Sequence, residues 1–321
     1  MDRQRLVGVG LVLVSAASFG SGALFAKPVY AAGVDWLTLL AWRFVIGATL
    51  SWAWLSLSAG RRAGLRRLPP RRIAIALGLG VLYLGNSGTY YAGLQTVSAS
   101  LASLIVFIYP AVVAVLSLRI GHRLAGRRPW LALAMALAGT ALALGGIPAG
   151  TMPPLAGIAQ VVASPFIYAC WIVLSARLSG ERSDRVGGDA DDGADTAAAT
   201  ALMMVATAVG FIILAVATGR PLLPHQVPVA AWPGIAGIGL ISTFVSIQTF
   251  YAGTRRIGAA QASLISTFEP VWTISLAALL FGESLGPQQL VGGALVIAGV
   301  LLAQTSSSAH ERGVTLRVAD E

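Results

Sequence analysis

Glu269 is the carboxylate that falls deepest in an apolar run of this sequence, about ten residues from the start of the run and immediately before Pro270. Helical rise places it ~15 Å along its span, near the middle of a hydrocarbon layer ~30 Å thick. A charge at that depth costs several kcal/mol unless it is protonated, paired or hydrated, and such groups line substrate, ion or proton paths. The competing role is local: a carboxyl that hydrogen-bonds backbone groups released by the proline.

Arg43, about seven residues into another apolar run and next to Trp42, is the second costly group. It can anchor at an interface by extending its head outward, form a charge pair with Glu269, or meet substrate. Asn86 and Tyr90 lie one helical turn apart and share a face. An amide and a phenol turned toward lipid would be costly, so that face should look inward. Ser246 and Phe250 hold the matching places later in the chain, with Gln248 between them. Tyr109 matches Glu269, Tyr168 and Trp171 offer an aromatic wall, and Trp272 is grouped with these as the last member of the expected substrate cavity. No catalytic residues are expected, because the sequence has no HExxH, GxSxG or P-loop pattern. His122, His225 and His310 lie far apart and Cys170 is the one cysteine, so no metal, disulfide or cofactor is expected.

What must position these residues is a repeat. The stretch YAGTRRIGAAQASLISTFEP, residues 251–270, echoes YAGLQTVSASLASLIVFIYP, residues 91–110, with nine identities in twenty positions and no gap. Each copy reads as an apolar helix ending in Tyr-Ala-Gly, a short turn, and a second apolar helix opening Ala-x-x-Ala-Ser-Leu-Ile and broken by proline. Pro110 and Pro270 thus predict paired kinks that act as hinges. The same spacing of ~160 residues relates Ala134 and Ala138-Gly139 to Ala294 and Ala298-Gly299, small residues that let helices approach closely in lipid. Residues 15–25 likewise resemble residues 164–174.

The 321 residues are 56% hydrophobic and 11% charged, with a mean hydropathy of +0.77. That is more apolar material than one water-soluble core can hide, so the bilayer is the solvent. The net charge of +9 does not point to nucleic acid, because the arginines sit in short clusters between apolar runs without an aromatic platform. Ten spans are expected, at 6–25, 36–57, 73–93, 99–120, 130–146, 155–178, 197–217, 232–253, 259–281 and 290–303. The first is longer than the apolar core of a signal peptide and is read as retained. Alternating the spans from a cytoplasmic N-terminus gathers nearly all the arginine clusters on that side and leaves little but Lys27 and Arg220 outside. Both termini are then cytoplasmic. The glycine- and aspartate-rich stretch 179–196 reads as a flexible cytoplasmic linker.

The halves are a first repeat, 1–150, and a second, 151–305, followed by a cytoplasmic tail, 306–321. Five spans per half is an odd number, so the second half enters the membrane from the opposite side. Inverted repeats of this kind give secondary transporters a midplane site with two accessible states.

These features resemble the EamA family of the drug/metabolite transporter superfamily across nearly the whole chain. The residues that carry the resemblance are the two YAG-turn-A-x-x-ASLI-x-x-x-x-P patterns, Phe281-Gly282-Glu283-Ser284-Leu285 followed by LVGGALVIAGVLL, and Trp42-Arg43-Phe44. The resemblance implies an all-α integral membrane protein of ten transmembrane helices, with a central cavity lined by the first, third, fourth, sixth, eighth and ninth. It also implies export of amino acids or related amphipathic metabolites across the cell (inner) membrane, and no enzymatic activity. The expected partners are a small-molecule substrate, the lipid bilayer and, as a candidate coupling ion, protons, in a monomer or homodimer. Uptake or facilitated exchange through the same cavity is the alternative, and a non-transporting receptor or scaffold is a third reading.

Overall fold

A computed structural model describes residues 3–120, 128–146, 152–179, 190–257, 262 and 265–302. These residues form helices joined by turns and short irregular stretches, with no strand among them. The helices are α1 (Arg3–Ala31), α2 (Trp36–Ser56), α3 (Ala59–Arg67), α4 (Pro70–Leu94), α5 (Ala99–Val106), α6 (Tyr109–Ile120), α7 (Arg128–Gly145), α8 (Leu155–Ser179) and α9 (Ala190–Ala217). There follow α10 (Trp232–Gly237), a π-helical segment (Ile238–Val245), α11 (Ser246–Ile257), α12 (Phe268–Phe281) and α13 (Pro287–Leu302). Among the described residues six helices are long and apolar enough to cross a membrane, the stretch Val229–Thr254 counting as one of them. Four shorter apolar helices, Ala99–Val113, Trp130–Leu144, Phe268–Phe281 and Pro287–Leu302, fall where four further spans are expected.

Three local features differ from the sequence expectations. First, the expected kink at Pro110 is a full break. The α-helix stops at Val106, residues 107–108 form a turn, and Pro110 enters as the second residue of α6. Pro270 is likewise the third residue of α12. Proline is tolerated in a first turn because the N–H it lacks would have had no helical acceptor there. Second, the stretch expected as a flexible linker at 179–196 overlaps α9 from Ala190 onward, while 180–189 lie outside the described residues. Third, α3 was not foreseen. It is short and basic, its Arg61 donates to the Trp54 carbonyl (2.9 Å), and the same guanidinium stacks on the Trp54 ring (4.1 Å). The tail 306–321 lies outside the described residues.

The two halves meet through exchanged contacts. Gly253 on α11 lies against α1, so close that a Cβ there would come within 2.5 Å of Val12 and 3.0 Å of the Gly8 carbonyl. Gly93 on α4 lies against α8 in the same way, 2.4 Å from Val161 and 2.6 Å from the Gly157 carbonyl. Ser15 Oγ donates to the Ser246 carbonyl (2.7 Å), and Ser164 Oγ reaches the Asn86 carbonyl (3.4 Å). On the other side of the molecule, a Cβ at Gly139 of α7 would meet the Gly292 carbonyl of α13 (2.5 Å), while one at Gly299 of α13 would meet the Ala132 carbonyl of α7 (2.7 Å). In each pair a position of the first half touches the second half, and its counterpart in the second half touches the first. Such reciprocity is the mark of two-fold symmetry. It also means that the first helix of each repeat packs across onto the other repeat.

One element breaks the symmetry. A Cβ at Gly80 would meet the Met203 carbonyl (2.5 Å) and Ala206 (2.8 Å), and one at Gly239 would meet Ile46 (2.7 Å) and the Arg43 carbonyl (3.3 Å). These glycines are counterparts, yet they stand one residue closer in sequence than do Tyr91-Ala92-Gly93 and Tyr251-Ala252-Gly253. The second half therefore carries one extra residue between Gly239 and Tyr251. The wider π-helical turns absorb it, as single-residue insertions in helices commonly are.

Candidate substrate cavity

Where the two halves meet they enclose a cavity of ≈ 210 Å³. Its walls come from α1, α2, α4, α5, α6, α8, α9, the π-helical segment, α11 and α12, so both repeats contribute. Asn86, Tyr90, Tyr109, Tyr168, Trp171, Glu269 and Arg43 all line it.

Glu269 is the second residue of α12, just past the helix break. Its carboxylate is partly exposed to the cavity, and among the described residues no side chain or backbone N–H donates to it. The backbone around it is held to α1. The Thr273 hydroxyl is shared between the Gly20 carbonyl (2.9 Å) and the Glu269 carbonyl (3.0 Å), and a Cβ at Gly20 would sit 2.7 Å from Thr273 Oγ1. Trp272, grouped with the cavity in the sequence analysis, is not among the lining residues. Its indole donates to Ser21 Oγ (3.0 Å) and ties α12 to α1.

Arg43 is 4% exposed and is neither an interfacial anchor nor the ion partner of Glu269. Its Nε donates to Thr243 Oγ1 (2.8 Å), and its guanidinium lies over the rings of Phe44 (4.9 Å) and Tyr91 (4.7 Å). Thr243 in turn donates to the Ile238 carbonyl five residues back (2.9 Å), a bond that fits the wide turns of the π-helical segment. Arg43 Nη1 is buried with no acceptor in the structure. The expected Arg43–Glu269 pair is therefore not formed, because Arg43 is committed to Thr243 and to the rings of Phe44 and Tyr91.

The aromatic wall is continuous. Tyr109 meets Tyr168 edge to face with centroids 4.8 Å apart, Tyr168 stacks on Trp171 (5.8 Å), Trp171 tilts against Tyr83 (5.4 Å), and Tyr83 meets Phe44 (5.9 Å). The Trp171 indole donates to the Leu79 carbonyl (3.1 Å), which fixes the ring between α8 and α4. Asn86 accepts from Ser164 Oγ (2.9 Å) and so joins the same two helices from inside the cavity. Gln248 is partly buried but not among the lining residues. The reason is helical phase: residues two apart project to nearly opposite sides, so Gln248 cannot share the face of Ser246 and Phe250.

Tyr83, Tyr91, Ser164 and Thr243 belong to the site and were not singled out from sequence. For Tyr83 a signal existed, since Tyr83, Asn86 and Tyr90 recur at three- and four-residue intervals on one face. Thr243 gives none, because its partner is 200 residues away.

The two-fold also pairs the chemistry of the two flanks. Tyr109 corresponds to Glu269, Tyr168 to Phe19, and Met203 to Arg43, and all six line the cavity. Against known proteins, the chain matches the EamA-like transporter family over residues 6–145 and 155–305. It belongs to that family. Among curated relatives it is 26% identical to the uncharacterized transporter YcbK of Bacillus subtilis over 90% of either chain. It is also 26% identical to an uncharacterized transporter of Archaeoglobus fulgidus, over 92% of this chain and 96% of that one. A solved crystal structure shares the fold, with a TM-score of 0.62 at 20% identity, over 92% of this chain and 96% of the other. The EamA membership makes this a multi-pass membrane protein of the two-repeat transporter fold.

Proposed function

We propose that this EamA protein is a secondary transporter that exports small amphipathic metabolites, amino acids among them, by alternating access across the cell (inner) membrane, with both termini in the cytoplasm. The observation that carries the reading is Glu269: a carboxylate to which nothing donates among the described residues, facing a cavity to which both repeats contribute. A carboxylate in that setting is costly unless a ligand, water or proton meets it, and the cost is tolerated where transport needs it. The exchanged packing of α1 and α8 supports alternating access, since rocking one half against the other changes which end of the cavity is open. The bilayer is the solvent, and protons are the proposed coupling ion.

The test is flux. Purified protein in proteoliposomes is offered a panel of radiolabelled amino acids and amines, with and without a pH gradient, beside Glu269→Gln. At least one panel member should move faster than in empty liposomes, and the Gln variant should lose tenfold or more of the gradient-driven rate while retaining its elution profile in detergent. No flux for any panel member in either direction of loading, or full flux in the Gln variant, removes this reading.

A further inference from the structure

The cavity is asymmetric in a way that specifies which charge it accepts. The two-fold places Tyr109 of one repeat and Glu269 of the other in equivalent positions, each one residue before its proline. On the Tyr109 side the counterpart of Phe19 is Tyr168, whose ring meets Tyr109 at 4.8 Å and stacks on Trp171 at 5.8 Å. One flank of the cavity thus presents π-faces and the other a carboxylate to which nothing donates among the described residues.

The second charged group, Arg43, also lines the cavity, from α2, and forms no ion pair with Glu269 among the described residues. Arg43 is held by Thr243 through Nε and by two ring faces and is 4% exposed, with Nη1 left without an acceptor. The Glu269 carboxylate, partly exposed in a cavity walled by aromatic rings, is thus the more accessible of the two charges. That combination binds an ammonium: the carboxylate neutralises it, and the ring quadrupoles attract it from the other side.

We propose that the Glu269 end of the cavity is an ammonium subsite, with the Tyr109, Tyr168 and Trp171 rings as its aromatic wall, and that it takes organic monocations such as arylalkyl amines without requiring a carboxylate on the ligand. This rests on the transporter reading of the same cavity and narrows its substrate class. The subsite takes Glu269, Tyr168 and Trp171 from the second repeat and Tyr109 from the first, so it exists only when both halves are assembled around the ligand.

The experiment is a titration of wild-type protein in detergent with three molecules of one skeleton: phenethylammonium, phenylalanine and 3-phenylpropionate. Calorimetry should give phenethylammonium the tightest binding or equal to phenylalanine, and 3-phenylpropionate at least tenfold weaker. Glu269→Gln should weaken phenethylammonium at least tenfold. Tyr168→Phe, which keeps the ring, should bind as wild type, and Tyr168→Leu should lose about tenfold. The wild-type series needs no variant to fold. Equal binding of the carboxylate, binding of phenylalanine without phenethylammonium, or no binding of any of the three overturns the proposal. Flux of amino acids without amine binding leaves the transporter reading standing and removes this one. Amine binding without flux of any compound does the reverse.

Discussion

The Glu283 carboxylate accepts the backbone N–H of Ser100 at 2.9 Å, and that of Ala99 at 3.0 Å, so the helix α5 is capped by a residue 184 positions further along the chain. Lys27 of α1 completes the cluster by donating to the carbonyls of Leu94 (3.0 Å) and Val97 (2.6 Å), at the end of α4. Free N–H groups at a helix start need acceptors, and a carboxylate supplies both the lone pairs and the favourable charge. At the counterpart of Glu283 the sequence has Arg123, so the same cap is unavailable to the other half.

Glu283→Ala should therefore lower stability by about 2 kcal/mol, the usual worth of hydrogen bonds to a charged acceptor, and Glu283→Gln should fall between it and wild type. Thermal unfolding in detergent measures this. An unshifted midpoint in the Ala variant would show that α5 is capped adequately without Glu283.

The exchanged contacts at Gly139 and Gly299 predict equal sensitivity. A Leu at either position forces α7 and α13 apart, because a Cβ already approaches a carbonyl to 2.5 Å or 2.7 Å. Each single variant should lose about 1–3 kcal/mol, the typical range for overpacking, and the two losses should agree. A large loss at one position with tolerance at the other contradicts the two-fold at this interface.

Topology is checked by thiol labelling. With Cys170 replaced by Ser, a cysteine at the exposed Gln95 should react with a membrane-impermeant reagent from outside intact cells, and one at the exposed Arg256 only after the cytoplasm is opened. Both residues follow a Tyr-Ala-Gly sequence, so labelling from one side alone would rule out inverted repeats.

Pro110→Ala and Pro270→Ala each restore an N–H in the first turn of a helix, and at Pro110 this allows α5 and α6 to join into one continuous helix. Folded protein with a turnover rate changed severalfold is expected from each. Wild-type flux in both variants would deny the breaks a role in movement.

Much of this molecule was legible in its residues. The Tyr-Ala-Gly and Ala-Ser-Leu-Ile echoes located the repeats, the charge of Glu269 in an apolar run pointed to the cavity, and the four-residue step from Asn86 to Tyr90 assigned their face. What was not legible depended on contacts between distant segments. The Ser21–Trp272 bond turns that indole to α1, and Thr243 rather than Glu269 receives Arg43; neither follows from local spacing. The extra residue after Gly239 is visible only once Gly80 and Gly239 are known to occupy the same place.

That extra residue has an energetic consequence. When two halves of a transporter exchange conformations to turn from one side of the membrane to the other, identical halves would make the two orientations equal in free energy, and the empty protein would divide evenly between them. Among the described residues the π-helical segment occurs in one half alone and carries Thr243, the partner of Arg43, so under the alternating access proposed above the two orientations would differ in energy before any ligand arrives. Each 1.4 kcal/mol of such a difference is a tenfold bias in resting population, and the insertion would then act as a built-in preference for one side of the membrane.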